Sequence, residues 1–236
     1  MKNILKECSE KMNISLTEEQ LNEYEKYKEM LVEWNEKMNL TAITDDEGIA
    51  IKHFADSVSV LHLIREKDAS IIDVGTGAGF PGVPLKIANK DFKVTLLDSL
   101  NKRINFLEEV KKELSLDNLT CIHSRAEDGA RNPQLRDNFD YCVSRAVARL
   151  NVLCEYCMPF VKEGGYFISL KGPDIEEELE EAKKAISLLG GKVVKVVKID
   201  IPMSDITHSA VIIKKTSPTP KAYPRKAGTA VKKPIM

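Results

Sequence analysis

The run Asp73-Val74-Gly75-Thr76-Gly77-Ala78-Gly79-Phe80-Pro81-Gly82 carries the strongest chemical signal in the chain. Glycines at alternate positions let a backbone turn tightly after a strand and let a ligand approach it closely. A dinucleotide-binding loop reads G-x-G-x-x-G, and its last glycine sits where the pyrophosphate meets the start of a helix. Phe80 occupies that position here. Pro81 and Pro84 lack the amide hydrogens that a phosphate would use. Asp98 follows about one βα unit later, at the end of a second apolar run, where a carboxylate suits a ribose diol. Together these residues describe a nucleoside ligand without a pyrophosphate. S-adenosyl-L-methionine meets that description.

Other reactive residue types give weaker signals. Lys171 ends a strand at the ligand edge of the sheet and reads as a phosphate or base contact, with a surface lysine as the plain alternative. Cys154-Glu155-Tyr156-Cys157 is a C-x-x-C pair without a second pair, set among Leu150, Leu153 and Met158. It reads as helix packing rather than zinc or redox chemistry, and no metal is expected. His62, His123 and His208 have no metal-ligand spacing, and His53, near the ligand edge of the sheet, reads at least as readily as a capping or core residue. No Asn-Pro-Pro-aromatic motif of amino methyltransferases is present, and no Pro-Cys pair supplies a nucleophile for cytosine.

The elements that must position these residues follow from hydrophobic period. Thr17 and Gln20 have capping-box spacing, and Leu21, Tyr24, Tyr27, Leu31, Trp34 and Met38 recur at threes and fours on one helical face. A second helix is predicted over residues 47–64, with Ile51, Phe54, Val58, Leu61 and Ile64 inward. From residue 70 strands alternate with helices: strands at 70–74, 93–98, 120–123, 139–144 and 166–170, the last behind a Gly164-Gly165 turn. That alternation implies right-handed crossovers and a mostly parallel sheet with helices on both faces. An acidic helix over 175–189 precedes two strands, 193–201 and 209–214, whose short link leaves room only for an antiparallel hairpin.

Composition sets the outer bounds. The 236 residues are 43% hydrophobic and 30% charged, which are globular values. No apolar run reaches membrane-helix length, and Lys6, Glu7, Glu10 and Lys11 interrupt any signal-peptide pattern, so the expected setting is cytoplasmic. Five scattered cysteines fit reduced thiols. The net charge of −1 conceals an asymmetry: from Lys214 onward there are seven basic residues and no acid. A basic tail on an acidic body points to local contact with a polyanion. Pro218, Pro220, Pro224 and Pro234 are expected to keep the tail extended and non-helical.

The glycine loop, the second-strand acid and the terminal hairpin resemble a class I S-adenosylmethionine-dependent methyltransferase. The resemblance narrows to one family through Trp34-Asn35, Asn39-Leu40-Thr41, His53-Phe54, Asp56-Ser57, Gly75 to Gly82, Arg125-Ala126-Glu127, Ser144-Arg145-Ala146, Leu170-Lys171-Gly172 and Tyr223-Pro224-Arg225-Lys226-Ala227-Gly228-Thr229. These are similar to the ribosomal RNA small-subunit methyltransferase G family, also called glucose-inhibited division protein B. Ala230-Val231 departs from it, where the family pattern has a proline and a polar residue.

The resemblance implies a Rossmann-like α/β fold with a seven-stranded mixed sheet. It implies three parts: an N-terminal helical cap at 1–68, a methyltransferase domain at 69–215 and a basic tail at 216–236. The implied activity is methylation of N7 of a guanine in the 530 loop of bacterial 16S rRNA. The substrate is expected within the small ribosomal subunit or an assembly intermediate, with no membrane partner and the enzyme a monomer. Gly75, Gly77, Gly79 and Phe80 would form the cofactor loop, Asp98 would hold ribose, Ala126 and Glu127 would flank adenine, and Arg145 would lie at the methionine end. Arg145 and Lys171 are the catalytic candidates. Arg125, Lys171, Lys221, Arg225 and Lys226 are the RNA candidates. Two rivals stay open: a small-molecule methyltransferase, and a non-catalytic cofactor-binding assembly factor.

Overall fold

The computed structural model describes residues 1–145 and 147–236; Ala146, part of the Ser144-Arg145-Ala146 motif, lies outside them. Five parallel strands form the sheet's first part: β1 (Ser70–Val74), β2 (Lys93–Asp98), β3 (Leu119–His123), β4 (Phe139–Arg145) and β5 (Val161–Lys171). β6 (Gly191–Asp200) and β7 (Thr207–Lys215) close it as an antiparallel hairpin, with β7 paired to β5. The spatial order is β3-β2-β1-β4-β5-β7-β6, and β6 and β7 pair antiparallel as the short link between them requires. The order reverses between β1 and β4. Open α/β sheets bind ligands outside the carboxyl ends of the strands at such a switch point.

Alternation along the strands sends side chains to two cores. On one side Ile71, Tyr141, Val143 and Ile168 pack beneath α1 (Lys2–Lys11), α2 (Glu18–Asn35), α5 (Gly82–Ala88) and α6 (Asn101–Glu113). On the other, Ile72, Cys142, Phe167 and Val211 pack beneath α8 (Leu150–Cys157) and α9 (Glu176–Leu188). Cys154 and Cys157 are buried in this second core, where burial pushes both thiols up. No helix among the described residues is long and apolar enough to cross a membrane.

Thr17 caps α2 with a complete capping box: Gln20 N–H donates to Thr17 Oγ1 at 3.2 Å, and Thr17 N–H donates to Gln20 Oε1 at 2.8 Å. The Leu21, Tyr24, Tyr27 and Leu31 stripe is buried as its spacing predicts. Tyr24 donates to the Pro84 carbonyl at 2.7 Å and Tyr27 to the Ala78 carbonyl, so α2 is bolted to the glycine loop and to the helix that follows it.

Three local expectations are corrected. The 47–64 helix is broken into α3 (Asp46–Gly48), a π-helical stretch Ile49–Ala55, α4 (Asp56–Val58) and a 3₁₀ turn Leu61–Leu63. Gly164-Gly165 is not a turn. β5 runs through it beside a register irregularity in β4, because Gly164 has φ +88° and a Cβ on Gly165 would lie 2.5 Å from the Asp140 carbonyl oxygen. The tail is neither free nor wholly extended. It forms α10 (Thr229–Lys232), in the interval between Pro224 and Pro234 where every residue has an amide hydrogen.

Candidate active site

The loop after β1 is built by its own backbone. Gly75 N–H and Thr76 N–H donate to the Leu97 carbonyl at 2.8 and 3.2 Å, which ties the loop to β2. Gly75 has φ +74°, and a Cβ there would lie 2.7 Å from Val147 Cγ2, so glycine is required twice over. Asp73 gathers both ends of the loop: Oδ2 accepts from Thr76 Oγ1 at 2.6 Å and from Gly82 N–H at 2.9 Å. Burial pushes its carboxyl up to about 6, against the pull of those two hydrogen bonds.

The start of α5 has no amide to offer a phosphate. Gly82 N–H is held by Asp73, Val83 N–H donates to the Gly79 carbonyl at 2.8 Å, and Pro81 and Pro84 have none. The loop therefore excludes pyrophosphate by chemistry as well as by the bulk of Phe80.

Asp98 faces the loop from the end of β2. Its Oδ2 accepts from Gly77 N–H at 2.9 Å and from Arg103 Nη1 at 3.3 Å, and Oδ1 accepts from Leu100 N–H at 2.9 Å. A carboxylate has about four lone-pair sites, so one remains, on Oδ1, for a ribose hydroxyl.

A cavity of about 690 Å³ opens over these groups. Gly75, Gly77, Phe80, Asp98, Ala126 and Glu127 all line it, as do Arg125 and Arg145. Gly79 does not. It turns away at φ +107°, and a Cβ there would lie 2.5 Å from Tyr27 Oη, so its work is the close approach of α2. Beyond β3, Ala126 and Glu127 open α7 (Ala126–Gly129), and Arg125 stands exposed at its N-cap with no acidic partner among the described residues. Gly228 N–H donates to Glu127 Oε1 at 2.9 Å.

The opposite end is aromatic and charge-balanced. The His53 and Phe80 rings stack with centroids 4.6 Å apart, and the Arg145 guanidinium lies 5.1 Å from the Phe80 centroid. Arg145 Nη1 pairs with Asp56 Oδ2 and donates to the Lys52 carbonyl at 3.2 Å. Asp56 is only 2% exposed, and its second oxygen lies 3.0 Å from His208 Nε2. Burial first, and then the Arg145 charge, lower His53 to about 4, so its ring is neutral near pH 7. The partners fix its tautomer: Nδ1–H faces the Lys52 carbonyl at 3.2 Å, and Nε2 accepts from Thr41 Oγ1 at 2.8 Å. Asn35 Oδ1 holds that turn by accepting from Leu40 and Thr41 N–H at 2.7 and 2.9 Å. Sequence reasoning assigned no role to Asp56, Thr41 or Gly228. Only their presence in the family-like motifs marked them.

Two expected contacts lie elsewhere. Lys171 does not reach the cavity: its side chain is 11% exposed, pairs with Glu178 at 2.7 Å and donates to the Ala148 carbonyl at 2.6 Å. β5 ends at the ligand edge as expected, but α9 places an acid over it. Arg225 is not a free cation either. It pairs with buried Glu155, which raises its pKa further. Lys221 and Lys226 are exposed and have no ion-pair partner among the described residues.

The sheet, its switch-point cavity and the phosphate-excluding glycine loop define a Rossmann-like class I methyltransferase. Solved structures agree on the fold. TYW2 of M. jannaschii in complex with AdoMet matches with a TM-score of 0.54 at 18% identity, over 73% of this chain and 77% of that one. A SAM-dependent O-methyltransferase from Thermotoga maritima matches with a TM-score of 0.54 at 17% identity, over 81% and 73%. The sequence comparison is more particular. A family model described as rRNA small subunit methyltransferase G matches residues 20–207. Proteins named ribosomal RNA small subunit methyltransferase G are 56% identical in Alkaliphilus oremlandii, over 100% of this chain and 99% of that protein, and 51% identical in Clostridium tetani, over 98% of each. The chain belongs to the rRNA small subunit methyltransferase G family.

Proposed function

We propose that this methyltransferase transfers a methyl group from S-adenosyl-L-methionine to N7 of a guanine in the 530 loop of bacterial 16S rRNA. The reaction takes place in the cytoplasm, with the enzyme a monomer and the substrate presented in the small subunit or an assembly intermediate. The observation that carries the cofactor is the closed start of α5: with Gly82 and Val83 amides already engaged, the loop suits a nucleoside and rejects a pyrophosphate. The donor set fits the rest of the molecule. Asp98 has one lone-pair site left for a ribose hydroxyl, Ala126 and Glu127 flank the adenine end, and Arg145, whose Nη1 is taken by Asp56 and Lys52, has its other guanidinium nitrogens for a carboxylate at the methionine end.

Bound there, the cofactor supplies an already activated methyl on a sulfonium. Guanine N7 has an in-plane lone pair and loses no proton, so the site needs no general base. This chain's residues supply alignment. They also keep the reacting end free of net positive charge: His53 is neutral and Arg145 is balanced by Asp56. That matters because the base becomes cationic as the methyl arrives. Arg125 on the cavity wall and the exposed Lys221 and Lys226 of the tail are the RNA contacts of this reading, with the near-zero net charge favouring a structured particle over naked RNA.

The test is to incubate the protein with methyl-labelled cofactor and small subunits lacking the modification, then map the label by nuclease digestion and mass spectrometry. Label on one guanine N7 of the 530 loop is the expected result. Cofactor binding without label on the particle would move the reading to another substrate or to an assembly role. Neutralising Arg125, Lys221 and Lys226 together should raise KM for subunits and flatten its salt dependence by roughly two to three units of log–log slope. An unchanged slope would remove them from the interface.

A further inference from the structure

A basic tail whose only work was to touch RNA would have its cations free and its backbone loose. This one is fastened to the body. Arg225 grips Glu155 of α8 four times: its backbone N–H at 2.7 Å and Nε at 3.0 Å reach Oε1, while Nε at 3.1 Å and Nη2 at 2.6 Å reach Oε2. Glu155 is 1% exposed, so the guanidinium replaces the water that carboxylate would otherwise need. The turn before it is clamped by the body's arginines. Arg131 Nη2 donates to the Pro224 carbonyl at 2.5 Å, and Arg136 donates to the carbonyls of Tyr223 at 3.0 Å and Thr219 at 2.8 Å.

Three residues beyond Arg225 the chain turns through Gly228 at φ +78°, and its N–H lands on Glu127 Oε1. Gly228 faces the cavity beside Glu127 and Tyr156, and Tyr156 directly follows Glu155 on α8. Ala230 is buried behind it. One helix therefore carries both the anchor of the tail and part of the cavity wall.

We infer that Gly228, carried by the tail segment 224–230, is part of the wall of the cofactor cavity, and that the Arg225–Glu155 pair sets cofactor affinity by holding the Gly228 amide on one oxygen of Glu127. This rests on the reading of Glu127 as the residue beside adenine. Arg225 is a positioning residue: it touches neither the cofactor site nor the reacting atoms. The fixed amide orients the Glu127 carboxylate and leaves Oε2 for the ligand. Without the anchor, Gly228 drifts and Glu127 loses its orientation. Lys226, adjacent to the anchor, stays exposed, so one short segment presents a cation outward and an amide inward.

The test is calorimetric titration of the full-length protein with S-adenosylhomocysteine, without RNA, alongside steady-state kinetics on subunits. Arg225→Gln and Glu155→Gln should each raise Kd for S-adenosylhomocysteine on the order of tenfold. Cofactor KM should rise with them, while kcat at saturating cofactor stays near wild type. Exchange of the Gly228 amide should quicken in both, and Arg225→Lys should recover part of the affinity. Lys226→Ala should show the converse, a raised KM for subunits with Kd for S-adenosylhomocysteine unchanged within about twofold. Folded Arg225→Gln and Glu155→Gln proteins that bind S-adenosylhomocysteine like wild type would overturn the inference. Should Arg225→Gln not fold, Glu155→Gln, which keeps a carbonyl acceptor for the Arg225 N–H, decides by the same criterion. Wild-type protein that fails to bind S-adenosylhomocysteine would instead overturn the cofactor reading, and the inference with it.

Discussion

At the loop end of the cavity the contacts of the two acids close over short stretches of chain, and Tyr27 of α2 reaches the Ala78 carbonyl from farther, across 51 residues. Asp73 reaches Thr76 and Gly82, three and nine residues away, and Asp98 reaches Gly77 across 21. The donors there are mostly neutral backbone amides. The other walls are assembled from afar: Arg145 meets Asp56 across 89 residues, Glu127 receives Gly228 across 101, and Glu155 receives Arg225 across 70. Two of those three are ion pairs with a buried acid. Short loops cost little entropy to close and leave a local pattern, whereas long ones must be held by strong contacts and by the whole fold. The acids of the cofactor loop are thus satisfied locally, and the remaining walls of the cavity depend on the tertiary structure.

The hardest break of this contrast is at Asp56. Asp56→Ala leaves the Arg145 cation half-buried without its carboxylate, which costs on the order of 3–5 kcal/mol. Loss of alignment at that end should also lower kcat by about 100-fold. Urea unfolding and single-turnover methylation check both, and a stable, fully active variant would show that the pair does not organise this wall.

Gly79→Ala tests the loop end. A φ of +107° and a Cβ 2.5 Å from Tyr27 Oη should cost about 3 kcal/mol, read as a lowered melting temperature. Because Gly79 faces α2 and not the cavity, Kd for S-adenosylhomocysteine at a temperature where the protein is folded should change by less than about threefold. A larger loss would place Gly79 at the ligand after all.

The gentlest test sets one titrating group from each end against the other. His53 falls from 6.5 to about 4, so the folded chain holds fewer protons than the unfolded one between those values, and this contribution to stability is lost as pH falls through that range. Asp73 rises from 3.8 to about 6, so the folded chain holds more, and this contribution is lost as pH rises through that range. Between about pH 4 and 6 the two slopes oppose, and the pair adds little net pH dependence. His53→Gln should expose the Asp73 slope, with stability falling from pH 4 to 6 relative to wild type. Asp73→Asn should expose the His53 slope, with stability rising. Denaturant titrations at three pH values distinguish them, and slopes of the same sign in the two variants would refute the assignment.

Legibility in the sequence follows the same division. The alternation of strands and helices, the hairpin ending and the capping box of α2 come from periods and spacings within about ten residues, and the structure bears them out. The Gly164-Gly165 turn was misread because a positive φ inside a strand gives the same residues as a turn. The ion pairs of Lys171 and Arg225 were illegible for a different reason. Their cationic character is plain in the chain, but the acids that engage them, Glu178 and Glu155, come from α9 and α8 and carry no mark of it. Gly79 carried the glycine signal correctly, but its reason is the hydroxyl of Tyr27 on a distant helix.

The sequence by itself determined the layered sheet and a loop that accepts a nucleoside and refuses a pyrophosphate, because a strand's period, a proline's missing hydrogen and a glycine's missing Cβ are properties of residues in their local chain. Only the tertiary structure decided which charges remain free to meet RNA and which are joined in pairs. Arg125, Lys221 and Lys226 stay free while Arg145, Lys171 and Arg225 do not. A side chain's availability depends on what the fold brings within about 3 Å of it, and that is settled by packing between segments far apart in the chain.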